Sequence, residues 1–232
     1  MKNIYQGWEL PYFNNAKNFR KYQFSLIREY IFGSVAEVGP GHGVNLLHYY
    51  KHASKIDLFE PSNNLYKILK RKFKKYNIKI FNKYFHFSDK KNKRKYNTII
   101  YLDVLEHIKN DAHEIAKACK SLVKNGHLII NVPAFSYLYS QFDLDIGHIK
   151  RYNKKDFQII EKKIKGKIIL IKYYDSIGYF LSLISKLLSQ KKYRNNFKLK
   201  ILLWDKMIIV SKLIDLLTMN LFGKSLLVII KK

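Results

Sequence analysis

The sequence predicts an α/β fold, a doubly wound and mostly parallel sheet of seven strands carrying a helical insertion near its C-terminal end. Three observations predict it. Between residues 35 and 132, short apolar runs alternate with longer stretches of helical period, the pattern of parallel strands joined by crossover helices. The first of those runs ends in glycines at alternate positions, Gly39, Gly41 and Gly43, and opens directly into a helical stretch. The last two apolar runs are separated by roughly fifty residues with helix-spaced apolar positions, too long a span for an ordinary connection.

Residues 1–32 form a helical lead rich in aromatic residues (Tyr5, Trp8, Tyr12, Phe13, Phe19, Tyr22, Phe24), whose second half, 16–31, reads as a helix packed on the sheet. Strands follow at 35–38, 55–59, 78–81, 98–102 and 127–132, with helices between them at 44–51, 62–76 and 111–122. The last helix is expected to stop near Asn125-Gly126, a C-cap pair. A helix at 154–163, a strand at 167–173 and, after Gly223, a strand at 226–230 complete a single domain whose core is 33–175 with 224–232. The insertion, 176–223, carries Ile177, Phe180, Leu181, Ile184, Leu187 and Leu188, then a second apolar stretch over 201–221. Its tip, Lys191 to Lys198, interleaves basic residues with Tyr193 and Phe197. The most apolar segment, 201–222, is broken by Asp205, Lys206, Lys212 and Asp215, whereas a spanning helix wants about 20 largely uncharged residues. It does not read as transmembrane.

The 232 residues are 47% hydrophobic, too apolar for intrinsic disorder, and carry 44 Lys+Arg against 17 Asp+Glu, a net charge of +27. Such a field favours anionic partners, nucleic acid or a membrane surface. Only six of the basic residues are Arg, the side chain suited to bidentate phosphate recognition, so the excess is a diffuse field rather than a phosphate reader. The accompanying wealth of Ile, Asn, Tyr and Phe is what A/T-rich codons produce unaided. A lone cysteine, Cys119, excludes a disulfide and a Cys-rich zinc site and fits a reducing, cytoplasmic compartment. No apolar run of signal-peptide length follows Lys2, so secretion is not expected.

Glycine at a strand-to-helix turn lets a ligand approach the main chain, and the helix start offers unpaired N–H groups. The next strand ends in Glu60, placed to accept hydrogen bonds from both hydroxyls of a ribose lying across the strand ends. Together these predict a nucleoside cofactor. A dinucleotide loop prefers G-x-G-x-x-G, but here position 44 is Val. Glu37, two residues before the first glycine, would repel a pyrophosphate and suit a cationic amino group. The cofactor expected is therefore a nucleoside bearing an amino acid.

Glu37-Val-Gly-Pro-Gly-His-Gly, then Phe59-Glu60-Pro61, then the run from Ile99 through Asp103-Val104-Leu105-Glu106-His107 to Ile108, resembles class I S-adenosylmethionine-dependent methyltransferases. The similarity covers roughly residues 22–157, and 226–230 matches the antiparallel last strand of that Rossmann-like fold. The resemblance implies that Gly39, Gly41 and Gly43 line S-adenosylmethionine. It also implies that Glu37 faces the methionine end, Glu60 with Pro61 holds the ribose, and Leu102 and Asp103 border the methyl-bearing region. The family often places an acidic residue after the third strand for the adenine amino group; this chain has Asn82 there as the substitute.

Downstream, Asp143-Leu-Asp-Ile-Gly147-His148-Ile-Lys150-Arg151-Tyr152 resembles the D-x-x-x-G-H-x-R-R-Y segment of a subset that often acts on sugars, lipids or other small acceptors. Methyl transfer to a hydroxyl needs alignment and a base for the departing proton. His148 and His107 each follow a strand end that faces the expected pocket, and His148 is preferred, with Asp143 fixing its tautomer. Arg151 and Tyr152 are candidates to bind an anionic or sugar-like acceptor, although a salt bridge within the loop accounts for Arg151 equally well. The other histidines share no ligand spacing, and no structural metal is expected. The expected activity is methylation of an oxygen on a glycan or lipid-linked intermediate by a cytoplasmic, membrane-peripheral enzyme, the insertion serving as lid or membrane contact. Two rivals stand: an RNA methyltransferase, which the basic surface supports and the missing Asn/Asp-Pro-Pro-Tyr tetrapeptide counts against, and a cofactor-binding regulator without turnover.

Overall fold

Strands buried on both faces read as largely apolar runs, and β1 (Ser34–Val38), β2 (Lys55–Phe59), β4 (Tyr96–Leu102) and β5 (Leu122–Pro133) form the parallel part of the sheet together with the half-buried edge strand β3 (Ile78–Phe81). This computed structural model describes residues 4–85, 96–187 and 194–232. Two further strands, β6 (Lys167–Tyr174) and β7 (Ser225–Lys231), complete a seven-stranded sheet in the order β3-β2-β1-β4-β5-β7-β6. β7 runs antiparallel to both of its neighbours. The order reverses beside β1 and β4, which leaves a crevice at their C-terminal ends, the place where open α/β sheets bind ligands.

Side chains alternate between two cores. One face of the sheet (Ala36, Val38, Ile99, Tyr101, Leu128, Ile130) is covered by α5 (Asp111–Ser121) and α7 (Lys154–Glu161) through Ile115, Ala118, Cys119, Phe157 and Ile160. The other (Val35, Ile56, Leu58, Ile100, Ile129) is covered by α2 (Lys17–Ile27), α3 (Leu46–Tyr49) and α4 (Asn63–Lys72), with the insertion helix described below. Each buried Val, Leu, Ile or Phe among them contributes about 1.5–3 kcal/mol on burial. Short helices α1 (Leu10–Phe13) and α6 (Gln141–Asp145) lie in the lead and after β5.

The expected helix at 44–51 is shorter, α3 with a 3-10 turn at Tyr50–His52, because the glycine loop consumes residues 41–45. Asn125-Gly126 caps no helix. α5 ends at Ser121 and the chain passes straight into β5, where Asn125 takes a left-handed φ of 63° and the pairing with β4 slips between Tyr96 and Thr98. The pair turns an excursion within the strand, a job the same two residue types do as readily as capping.

The insertion is two helices, α8 (Ser176–Leu187) and α9 (Phe197–Leu217). The acidic residues that interrupt its apolar run are its anchors. Asp205 caps the start of α2, accepting from the backbone N–H groups of Asn18 (3.2 Å) and Phe19 (2.8 Å). Asp215 accepts from the Tyr22 hydroxyl and the Asp175 backbone, both at 2.8 Å, and from the Ser176 N–H at 2.9 Å. Both carboxylates are buried, and α9 is therefore welded to the lead and to the end of β6. Lys191, Lys192 and Tyr193 of the expected basic tip lie outside the described residues. Phe197 is packed rather than displayed, with its ring 5.1 Å from Trp8 and 5.7 Å from Phe142.

Candidate active site

A cavity of about 760 Å³ opens at the C-terminal ends of β1, β2, β4 and β5, within the range of small-molecule sites. Its floor at one end is the glycine loop. Gly39 and Gly41 line it, and a Cβ on Gly39, whose φ is 64°, would stand 2.8 Å from Val104 Cγ2. Gly43 does not line the cavity. A Cβ there would meet Phe73 at 2.5 Å and Leu69 at 2.8 Å, so its role is to let the loop pack against α4.

Glu60, at the tip of β2, faces the cavity. Its Oε2 accepts from the Gly41 N–H (3.1 Å) and its Oε1 from the Ser62 N–H (2.9 Å), which leaves each oxygen capacity for one more donor. Burial pushes its carboxyl up to about 7 against the pull of those two bonds. Pro61, Leu65, Tyr84 and Phe85 form an adjoining wall against which a flat base can lie. Asn82 is not in that wall, because its amide is spent on the backbone carbonyls of Glu60 (3.0 Å) and Pro61 (3.2 Å). A carboxylate able to accept from two further hydroxyls beside an apolar slot fits a nucleoside.

Leu102 and Asp103 end β4 in the cavity wall. Asp103 sits at φ 59°, uncommon for a residue with a side chain, and is held there by Asn131 Nδ2 at 2.7 Å, with Arg20 at 3.9 Å. Glu37 is placed differently from the expectation. It does not line the cavity and lies buried behind the loop, accepting a 2.5 Å hydrogen bond from the Tyr49 hydroxyl. Burial raises its carboxyl to about 7, partly offset by Tyr49, Asn45 and the Arg20 charge.

The other end is built by the segment around α6. Asp143 is fully buried, and its Oδ2 takes the Ser140 backbone in a capping box (2.9 Å) while its Oδ1 takes His148 Nδ1 (2.8 Å) and Arg151 Nε (2.9 Å). Burial alone pushes this carboxyl up, but the bonds from His148 and Arg151 and the guanidinium charge outweigh it and hold the carboxyl down at about 2. With Nδ1–H donated to Asp143, His148 keeps Nε2 free as an acceptor, in the cavity wall. His107 is similarly oriented, its Nδ1 bonded to the Gly147 carbonyl at 3.0 Å and its ring 4.8 Å from that of His148. Burial and the neighbouring His148 pull His107 down to about 4, so it is neutral at pH 7.

Tyr152 is a correction. It is buried, does not line the cavity, and donates to Asp111 Oδ2 at 2.8 Å, so it braces the loop from below and meets no acceptor. Arg151 does line the cavity, with its Nε committed to Asp143.

Glu106 is the residue that sequence reasoning missed. Neither carboxylate oxygen has a hydrogen-bond partner, His148 Nε2 stands 3.7 Å from Oε1, and burial followed by the Asp103 charge raises its carboxyl well above the ordinary range. Burying a carboxyl without a hydrogen-bond partner favours its protonated form. Its signal in the sequence was only its place beside His107. Glu106, His107 and His148 also bring one ligand atom each within 4.8 Å of one another, so a metal ion has a possible seat among the described residues that spacing along the chain did not show.

The crevice, its glycine floor and the carboxylate at the second strand's tip define a nucleoside-dependent transferase built on a mostly parallel sheet. Residues 15–162 match the profile of a methyltransferase domain family, and the chain belongs to that family. No curated protein matches the sequence. Solved structures match the fold throughout. An S-adenosylmethionine-dependent methyltransferase from Archaeoglobus fulgidus is 15% identical, with 99% of this chain and 100% of that one covered and a TM-score of 0.62. A cyclopropane synthase from Mycobacterium tuberculosis is 11% identical, covering 91% and 84%, at 0.60. Coclaurine N-methyltransferase bound to N-methylheliamine and S-adenosylhomocysteine is 13% identical, covering 94% and 72%, at 0.59. The protein is a class I methyltransferase that uses S-adenosylmethionine.

Proposed function

We propose that the protein methylates an oxygen of a small acceptor, a glycan or lipid-linked intermediate, with His148 as the base. The observation that carries this reading is the Asp143–His148 pair, a buried ionised carboxylate holding one ring nitrogen so that the other faces the cavity as an acceptor. Gly39, Gly41, Glu60, Pro61, Leu102 and Asp103 hold the cofactor, and Glu37 braces the loop from behind through Tyr49. S-adenosylmethionine supplies, when bound, an electrophilic methyl group on a sulfonium. His148 Nε2 takes the acceptor's hydroxyl proton and Asp143 stabilises the resulting imidazolium. His107, with its ring 4.8 Å from that of His148, is held down at about 4 and is a weak base at neutral pH. Phe13, Phe142 and Trp204 line the acceptor end, which suits a molecule with an apolar body better than an open nucleic-acid strand. Incubation with methyl-labelled cofactor and separate lipid, glycan and RNA fractions is expected to label the lipid or glycan fraction; label confined to RNA contradicts the reading.

The domain is one unit in this proposal, and of the two roles expected for its insertion, lid or membrane contact, the anchored α9 favours a membrane contact at the inner face of the cytoplasmic membrane. α9 exposes Leu199, Leu203, Ile209, Leu213, Leu216 and Leu217, interspersed with exposed Lys200, Lys206 and Lys212. No helix among the described residues is long and apolar enough to cross a membrane. The protein is expected to co-sediment with phosphatidylglycerol vesicles, and Leu216→Asp with Leu217→Asp to reduce that binding. Equal recovery without vesicles would refute the contact.

A further inference from the structure

Lys224 belongs to no motif, yet the structure carries it into the acceptor end of the cavity. Its backbone is fixed at both groups: the N–H donates to the Asp175 carbonyl (3.0 Å) and the carbonyl accepts from Ala134 (2.8 Å), which pins it at the start of β7 beside the end of β5. Gly223 permits this, since a Cβ there would lie 2.1 Å from the Tyr174 carbonyl oxygen. The side chain is partly covered and lines the cavity between two aromatic faces, with Nζ 4.4 Å from the Trp204 ring centroid and 5.4 Å from that of Phe13.

Aromatic faces attract an ammonium but accept none of its three hydrogen bonds in the ordinary sense. Among the described residues, no carboxylate stands within ion-pair distance of Nζ and no hydrogen-bond acceptor is bonded to it. The neighbouring carboxylates are already committed. Asp175 accepts from Trp204 Nε1 (3.0 Å), Ser211 (3.1 Å) and the Gly178 N–H (2.9 Å). Asp143 serves His148 and Arg151, and Asp103 serves Asn131 with Arg20 nearby. Among the described residues, Lys224 therefore has no ion pair within the cavity, and neither does the exposed Lys109; Asp175 opposes its charge from beyond ion-pair distance, whereas Arg20 and Arg151 each have a carboxylate within that distance. Burial lowers the Lys224 ammonium from its usual range, with Asp175 opposing, so the site gains when an anion restores the charge.

We propose that Lys224 anchors the acceptor through a singly charged anionic group, a carboxylate or a phosphodiester, with Trp204 and Phe13 clasping the apolar body attached to it. This rests on the methyl-transfer reading of the same cavity, and it narrows the acceptor class. One ammonium set between two aromatic faces matches one negative charge carried on an apolar body. It also explains why α9 is bolted to the lead through Asp205 and to the end of β6 through Asp215: Trp204, one wall of the anchor, comes from that helix.

The test uses the full chain loaded with S-adenosylhomocysteine, titrated by calorimetry with benzoate, methyl phenyl phosphate and neutral benzamide. One of the two anions is expected to bind more tightly than benzamide, to lose about tenfold or more in affinity in Lys224→Met, and to recover most of it in Lys224→Arg, while benzamide is indifferent to both changes. The anion that binds better identifies the charged group. Anion binding no tighter than that of benzamide, or unchanged in Lys224→Met, overturns the proposal. Failure of S-adenosylhomocysteine itself to bind would instead strike the methyl-transfer reading. Should Lys224→Met not fold, acetic anhydride labelling of the native protein decides the matter: the bound anion is expected to protect Lys224 while benzamide does not, and equal labelling overturns the assignment.

Discussion

His148→Ala is expected to lower the rate of methyl transfer by about 10²–10⁴-fold, the span associated with loss of a positioned general base, with cofactor affinity unchanged. The reasoning is geometric before it is electrostatic. Asp143 holds the ring by Nδ1 at 2.8 Å and is itself held by Ser140 and Arg151, so the orientation of Nε2 is set by buried partners and not by solvent. Asp143→Asn removes the negative charge and leaves one acceptor oxygen where His148 with Arg151 and Ser140 use two, so it is expected to lose nearly as much activity, the two changes being far from additive because they disable one unit. His107→Ala should cost less, since its ring has only a backbone carbonyl to orient it. Rates with methyl-labelled cofactor settle the order. A His148→Ala enzyme with native turnover, or a larger loss at His107, would move the base from His148 to its neighbour.

Glu37→Gln is expected to make the protein more stable above neutrality, by up to about 3 kcal/mol. The native carboxyl sits at about 7 against an ordinary value of 4.5, because burial penalises its charge more than Tyr49, Asn45 and Arg20 relieve it. A raised carboxyl binds its proton more tightly folded than unfolded. Its contribution is therefore complete below about 4.5 and is lost as the pH rises through about 7. Glutamine is neutral at every pH and can still accept from Tyr49, so urea unfolding of the two proteins should coincide near pH 4.5 and diverge toward pH 8. Parallel curves across that interval would show that the Glu37 charge is already compensated in the native state.

The fold was legible because burial on both faces writes itself into the sequence as largely apolar runs, and β1, β2 and the half-buried β3 lie within one residue of their expected limits. The glycine loop and Glu60 were legible for a related reason: a chain that must approach a ligand closely and then accept two hydroxyls has few residue types to choose from. What stayed hidden depends on contacts between distant segments. Gly43 is required by Phe73 and Leu69, not by the cavity, and Tyr152 is turned inward by Asp111. Neither fact has a local signature. Glu37 illustrates the same limit, since Tyr49 on the following helix, and not a ligand, satisfies it. Asp205 and Asp215 read as interruptions of an apolar run because their partners on α2 and β6 are far away in the chain. Glu106 and Lys224 were missed because an orphaned carboxyl and an unmatched ammonium are defined by the absence of partners, which only three dimensions reveal.

Calorimetric titration of S-adenosylmethionine into the native protein and into Glu60→Ala tests the central claim most directly. One site is expected in the native chain, with affinity about 10- to 100-fold weaker in the variant, the loss of charge-assisted hydrogen bonds worth about 1.5–3 kcal/mol. No binding to the native protein, or equal affinity in both, would contradict a nucleoside held at the tip of β2.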